Sequence, residues 1–131
     1  MAATSEQIRA TIRAYFERFN AHDREGYVGL YAPDATLEDP VGSEVRHGRE
    51  RIGEFWDTVQ TMTEGVTLVP VGEPCIAAGE AAFHFTIVNV LGGDSYVMDA
   101  IDVMTFDDDG AITSMRAYWD AADMRPADAP G

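Results

Sequence analysis

The sequence predicts an α+β fold with helices packed on one face of a curved sheet. Two observations lead there. Apolar residues recur at helical spacing through the first half of the chain and alternate at strand spacing through the second. Gly- and Asp-rich turns then join successive strands into neighbouring hairpins.

Each element has its own signal. Thr4 and Gln7 have the spacing of a helix capping box, and Ile8, Ile12, Tyr15, Phe16 and Phe19 follow as one apolar stripe. Asn20-Ala21-His22-Asp23 breaks that stripe. Asp23 can cap a second helix carrying Tyr27, Leu30 and Tyr31, stopped near Pro33. A short strand over residues 35–39 ends at Pro40 and Gly42. Residues 49–62 predict a third helix with Ile52, Phe55, Trp56, Val59 and Met62 inward. Strands are expected over residues 66–71, 81–91, 96–106 and 111–119. Gly92-Gly93-Asp94 and Asp107-Asp108-Asp109-Gly110 are hairpin connections. Residues 1–120 make a single domain, and residues 121–131, rich in Ala, Asp and Pro, are expected to form a mobile tail.

Composition narrows the chemistry. The chain has 131 residues and 46% hydrophobic content, ample for one core. With 23 acidic and 9 basic residues the net charge is −14. Such a surface repels nucleic-acid phosphates and anionic headgroups, so neither is an expected partner. All 9 basic residues are arginine, which excludes a lysine Schiff base. Cys75 is the only cysteine, so no internal disulfide and no cysteine zinc cluster can form. The N-terminal residues lack the pattern of a secretory signal, and no stretch approaches transmembrane length; a cytoplasmic protein is the expectation.

Three polar residues stand in apolar rows. Asp39 shares strand parity with Ala35 and Leu37, so it faces their side, whereas Glu38 faces the other. Asp102 lies in the row Met98, Ala100, Asp102, Met104, Phe106. Tyr15 lies on the apolar face of the first helix. An inward carboxyl must be paired, hydrogen-bonded or protonated. A carboxylate at a strand end can act as a general base. A protonated carboxyl and a phenol can both donate to one developing oxyanion. Together they suit enolisation next to a carbonyl.

The motifs around these residues resemble the bacterial Δ5-3-ketosteroid isomerases of the nuclear-transport-factor-like superfamily. Ala35-Thr-Leu-Glu-Asp39-Pro-Val-Gly-Ser-Glu44 with Arg46-His-Gly48 is similar to the family's base-bearing segment. Tyr15 with Phe19-Asn20-Ala21 and Asp23 resembles the helix-one tyrosine segment, and Ala100-Ile101-Asp102 with Phe106 the oxyanion-acid strand. Glu80-Ala-Ala-Phe83-His-Phe85-Thr86 and Ile112-Thr-Ser-Met-Arg-Ala117 resemble a central and the last strand.

The resemblance implies a cone-like curved antiparallel sheet with three N-terminal helices packed on its concave face. It implies Asp39 as the base and Tyr15 and protonated Asp102 as oxyanion donors, roles that follow from the family and not from spacing. It implies no cofactor and no metal. Tyr31, Phe55, Trp56, Phe83, Phe85, Ile87, Met115 and Trp119 would bind a flat apolar 3-oxosteroid. One departure is Trp56, which stands where the family usually carries a tyrosine bonded to the catalytic one; Tyr31 is the substitute partner.

Alternatives exist within and outside enzymes. Limonene-epoxide hydrolase-like chemistry needs an arginine between two pocket aspartates, but Arg116 has the parity opposite to Met115 and Trp119. Scytalone dehydratase-like chemistry needs inward histidines, but His84 has the parity opposite to Phe85. A polyketide cyclase-like enzyme shares the acid–base logic. A non-catalytic steroid or lipid carrier would use the same cone but would gain nothing from an inward base. Outward Val88, Val90, Val97, Ile101 and Val103 suggest a homodimer through the outer sheet face.

Overall fold

The structure, a computed structural model, describes residues 2–127. Helix α1 spans Ser5–Asn20 and α2 spans Arg24–Val28. Strand β1, Tyr31–Glu38, is followed by β2, Arg46–His47, and by helix α3, Gly48–Met62. Four long strands follow: β3 Gly65–Ala77, β4 Glu80–Leu91, β5 Asp94–Phe106 and β6 Ile112–Tyr118. The sheet runs β2-β1-β6-β5-β4-β3 and is curved and unclosed. The α+β class expected from the sequence is observed, with α1 lying against β3 and α3 against β1. No helix among the described residues is long and apolar enough to cross a membrane.

Local signals act as expected at several ends. Thr4 Oγ1 accepts from the Gln7 amide at 3.1 Å, and Gln7 Oε1 accepts from the Thr4 amide at 2.7 Å, completing the capping box. Asp23 Oδ1 accepts from the Gly26 amide at 2.9 Å and starts α2. Gly92 and Gly93, at φ +59° and +82°, form the two-residue turn that sets β4 opposite β5. From that turn the register pairs Phe83 with Asp102 and Ile87 with Met98.

Several features differ from the sequence expectation. The sheet is mixed, because β1 runs parallel to β6. Helix α2 stops at Val28 and Tyr31 already belongs to β1. Pro33 is tolerated there because a register irregularity between Tyr31 and Thr36 leaves it out of the ladder. Strand β3 likewise continues beyond Val71 to Ala77, with an irregularity between Val71 and Cys75 that absorbs Gly72 and Pro74. In the segment expected to be a tail, Ala121–Asp123 form a 3-10 turn and Arg125–Pro126, β7, pairs with β5. Residues 128–131 of that segment lie outside the described residues.

Side-chain parity sorts the two sheet faces. Met98, Ala100, Asp102 and Met104 of β5 are buried beneath the helices, as are Phe83, Phe85 and Ile87 of β4. Asp99 and Ile101 face the opposite side and are exposed.

Candidate active site

Asp39 is positioned by the β1–β6 pairing. Glu38 is in register with Arg116, and the Val41 amide donates to the Ala117 carbonyl at 2.8 Å. This carries Asp39 to Trp119, just beyond β6, whose Nε1–H donates to Asp39 Oδ1 at 2.6 Å. Tyr15 comes from α1, and its ring packs against Phe16, Tyr27 and Phe83 at centroid separations of 5.4, 5.6 and 6.0 Å. Asp102 comes from the middle of β5, between Phe83 on one neighbouring strand and Ala117 on the other.

Electrostatics gives the two carboxyls different states. Burial raises the Asp39 carboxyl to about 6, while the Trp119 hydrogen bond pulls in the opposite direction. Burial, and then the charge of Asp39, holds Asp102 well above the ordinary carboxyl range; Tyr15 opposes this weakly. Asp102 is 0% exposed, and among the described residues neither of its oxygens has a hydrogen-bond partner of ordinary length, Tyr15 being the side chain whose hydroxyl interacts with the carboxyl. With its carboxyl near 6, Asp39 is mainly ionised at neutral pH, whereas burial strongly favours the protonated form of Asp102. Burial also raises the Tyr15 phenol well above its usual value, with the Asp102 charge next, so it keeps its proton. An ionisable carboxyl, a second carboxyl whose protonated form is favoured and a phenol that keeps its proton thus share one electrostatic neighbourhood, and groups of these kinds can move a proton and stabilise an oxyanion.

Beside these groups lies a cavity of about 290 Å³, lined by Tyr15, Asp39, Phe55, Phe85, Ile87 and Trp119 among others. Its remaining wall is largely apolar, including Val59, Val66, Leu68 and Met98. Other residues singled out in the sequence sit elsewhere. Tyr31, Trp56, Phe83 and Met115 are buried but do not line this cavity. Asp102 does not itself line the cavity, whereas Tyr15 and Ala117, the cross-strand partner of Asp102, do. A second cleft of about 370 Å³ is lined by Arg9, Arg13, Glu17, Glu73 and His84 and holds none of the three polar groups. Among the described residues, no three His, Cys, Asp or Glu side chains converge as a metal site.

The hydroxyl network differs from the simplest expectation. Tyr31 bonds to Tyr27, with the two hydroxyl oxygens 2.9 Å apart, rather than to Tyr15. Trp56 packs its indole on Tyr27 and Phe19, at 4.9 and 5.1 Å between centroids. Tyr27 was read only as an apolar residue of the second helix; its hydroxyl partner depends on where that helix ends. His84 and Arg116 face outward, as their parity indicates. His84 Nε2 lies 3.1 Å from Asp99 Oδ1, and Arg116 Nε donates to Glu38 Oε1 at 3.0 Å. Asn89 was missed, although it occupies the inward row of Phe83, Phe85 and Ile87 and lines the cavity. The signal that marks Asp102, a polar residue in an apolar row, is present there too.

Comparisons with known proteins agree on the fold and differ in chemistry. The model of the SnoaL-like domain family matches residues 12–115. A steroid Delta-isomerase from Nocardioides simplex is 42% identical over 120 residues, covering 92% of this chain and 95% of that protein. The epoxide hydrolase LasB from Streptomyces lasalocidi is 30% identical over 126 residues, covering 86% of this chain but only 43% of the relative. Among solved structures, the epoxide hydrolase/cyclase-like enzyme SalBIII, described with a role in pyran ring formation in the polyether salinomycin, superposes with a TM-score of 0.81. It is 29% identical, and the match covers 93% of this chain and 98% of that one.

Proposed function

We propose a function from one premise: the chain belongs to the SnoaL-like domain family. It is a steroid Δ-isomerase that moves a C=C bond of a 3-oxosteroid from the Δ5 to the Δ4 position. What supports this is the placing of the buried Asp39 carboxyl and the Tyr15 phenol on one apolar cavity, with the fully buried Asp102 carboxyl electrostatically coupled to both. The Nocardioides relative supports the substrate class.

In this mechanism the Asp39 carboxylate takes a proton from the carbon between the ketone and the isolated double bond. The electron pair moves onto the carbonyl oxygen, giving a dienolate. Tyr15 and neutral Asp102 donate hydrogen bonds to that oxygen. Neither Asp102 oxygen has a hydrogen-bond partner of ordinary length among the described residues, and a ligand oxygen would give its proton an acceptor. Asp39 then returns the proton to the far end of the dienolate and recovers its charge. The apolar wall limits exchange of that proton with water.

The test is direct. The protein is mixed with an unconjugated 3-oxo-Δ5 steroid, and the ultraviolet absorbance of the conjugated enone is followed. Catalytic growth of the band is the expected result. Tight binding without growth would instead support the carrier function.

The pH profile provides a further check. The base must be ionised, so kcat/KM should rise with pH through about 6 and then level off. Trp119→Phe removes the hydrogen bond that lowers Asp39 and should move this limb to higher pH. An unmoved limb would detach Trp119 from the base.

A second reading is favoured by LasB and SalBIII. The neutral donors could polarise an epoxide oxygen while Asp39 activates a hydroxyl nucleophile, as in a cyclase. Arg116, the arginine considered for epoxide hydrolysis, is outside the cavity and paired with Glu38. Incubation with an apolar epoxide, followed for diol or cyclic ether, distinguishes the two.

The proposal includes a cytoplasmic homodimer. Val88, Val90, Val97 and Val103 are half-buried on the outer sheet face, and Ile101 and Tyr118 are 46% and 44% exposed. Burial of this face would remove an apolar patch from water. Light scattering at micromolar concentration should give about twice the chain mass of 14.3 kDa. A mass equal to one chain would remove the dimer from the account.

A further inference from the structure

We infer that Asn89 and Thr63 form a second polar anchor, at the end of the cavity remote from Asp102, for a ketone or hydroxyl oxygen at the far end of the substrate. The inference rests on the isomerase reading for the ring system and adds what the opposite end of that system carries.

Apart from the tyrosines, only two polar side chains among the described residues are buried, Asp102 and Asn89. Asn89 is 6% exposed, lines the cavity, and its carboxamide makes no hydrogen bond to any described residue. Thr63 lines the same cavity, and its Oγ1 is buried without a partner. The fold brings them to one place. Thr63 follows α3, the Glu64 amide donates to the Val90 carbonyl at 2.9 Å, and Val66 pairs with Asn89 across β3 and β4.

The Thr63 hydroxyl, buried without a partner, and the Asn89 carboxamide, which borders the cavity, stand among apolar neighbours (Met62, Val66, Leu68, Ile87), and a buried polar group is costly unless something bonds it. A carboxamide and a hydroxyl each offer a donor and an acceptor, which suits a ketone or an alcohol. A carboxylate or phosphate does not fit, because among the described residues no cation stands at this end. The one arginine lining the cavity, Arg46, is in register with Leu37 and lies over the Phe55 ring, on the Asp39 side.

The spacing selects a long substrate. Phe83 is opposite Asp102, and Asn89 lies six positions further along β4. That is roughly 20 Å of extended strand, less the inward reach of side chains at both ends. A rigid polycycle can present one oxygen to Tyr15 and another to Asn89; a one-ring ketone cannot.

The test uses two conjugated 3-oxosteroids that differ only at the far ring, one with a ketone and one with a methylene. Their dissociation constants are measured through the fluorescence of Trp119 and Trp56. Wild-type protein should bind the ketone about tenfold more tightly. Asn89→Leu should bring the ratio to about one, and Thr63→Val, which is isosteric, should reduce it. Equal binding of the pair by the wild type, or a ratio unchanged in both variants, overturns the anchor. Turnover of the matching Δ5 isomers separates the two claims. Discrimination in binding without turnover supports the anchor and removes the isomerisation. Turnover without discrimination does the reverse.

Discussion

Asp39→Asn is expected to lower kcat on a 3-oxo-Δ5 steroid by roughly 10³–10⁴-fold, the range that a positioned base contributes. The substitution changes little else. The asparagine carbonyl can still accept from Trp119 Nε1, whose bond to Asp39 Oδ1 is 2.6 Å. It has no carboxylate lone pair basic enough to take a carbon-bound proton. The residue follows the end of β1 and makes no other side-chain bond to a described residue, and burial disfavours its charge, so at pH 7 the variant should be at least as stable as the wild type. Circular dichroism and steroid binding show that the fold and cavity persist. Activity within tenfold of the wild type would remove Asp39 from the proton transfer.

Asp102→Leu should lower kcat by about 10²–10³-fold, the usual loss when one oxyanion donor is removed. Its effect on stability has the opposite sign. Asp102 is buried, and among the described residues neither of its oxygens has a hydrogen-bond partner of ordinary length, so an apolar side chain suits the row Ala100, Asp102, Met104 better. The sign of the pH dependence follows from the raised folded-state pKa. Well below the ordinary carboxyl value, the unfolded chain also holds this proton, and no penalty arises. As pH rises above the ordinary carboxyl value of about 3.9, the unfolded chain releases it and is favoured. The stability gain of Asp102→Leu over the wild type should therefore grow from pH 4 to pH 7, readable in thermal midpoints. Asp102→Asn keeps a donor and should retain more activity than Asp102→Leu. Equal losses in the two variants would mean that Asp102 does not act by donating a hydrogen.

Much of this arrangement was legible because parity is local. The alternation of β5 placed Asp102 among Met98, Ala100 and Met104 before any tertiary contact was known, and the stripe of α1 placed Tyr15 inward. The same rule sent His84, Asp99 and Arg116 to the outer face, where they are exposed. What was not legible depended on which strands meet. The parallel pairing of β1 with β6 has no local signature, yet it brings Trp119 to Asp39 and makes the indole N–H a hydrogen-bond donor to that carboxylate. The early end of α2 decides that Tyr27 meets Tyr31, and Pro33 inside β1 hid that boundary. Cavity lining was only partly readable. Inward parity says that Phe83 and Met115 are buried, but only depth beneath the helices separates them from Phe85 and Trp119, which line the cavity.

The account holds that one carboxylate carries a substrate's own hydrogen between two carbons in a cleft that water does not flush. Mass spectrometry can read this when protiated 3-oxo-Δ5 steroid is turned over in heavy water. Conjugated product that mostly retains the substrate hydrogen at its new position is the expected result, and it should vanish with Asp39→Asn. Product carrying a full solvent deuteron at that position from the first turnovers would contradict the shuttle.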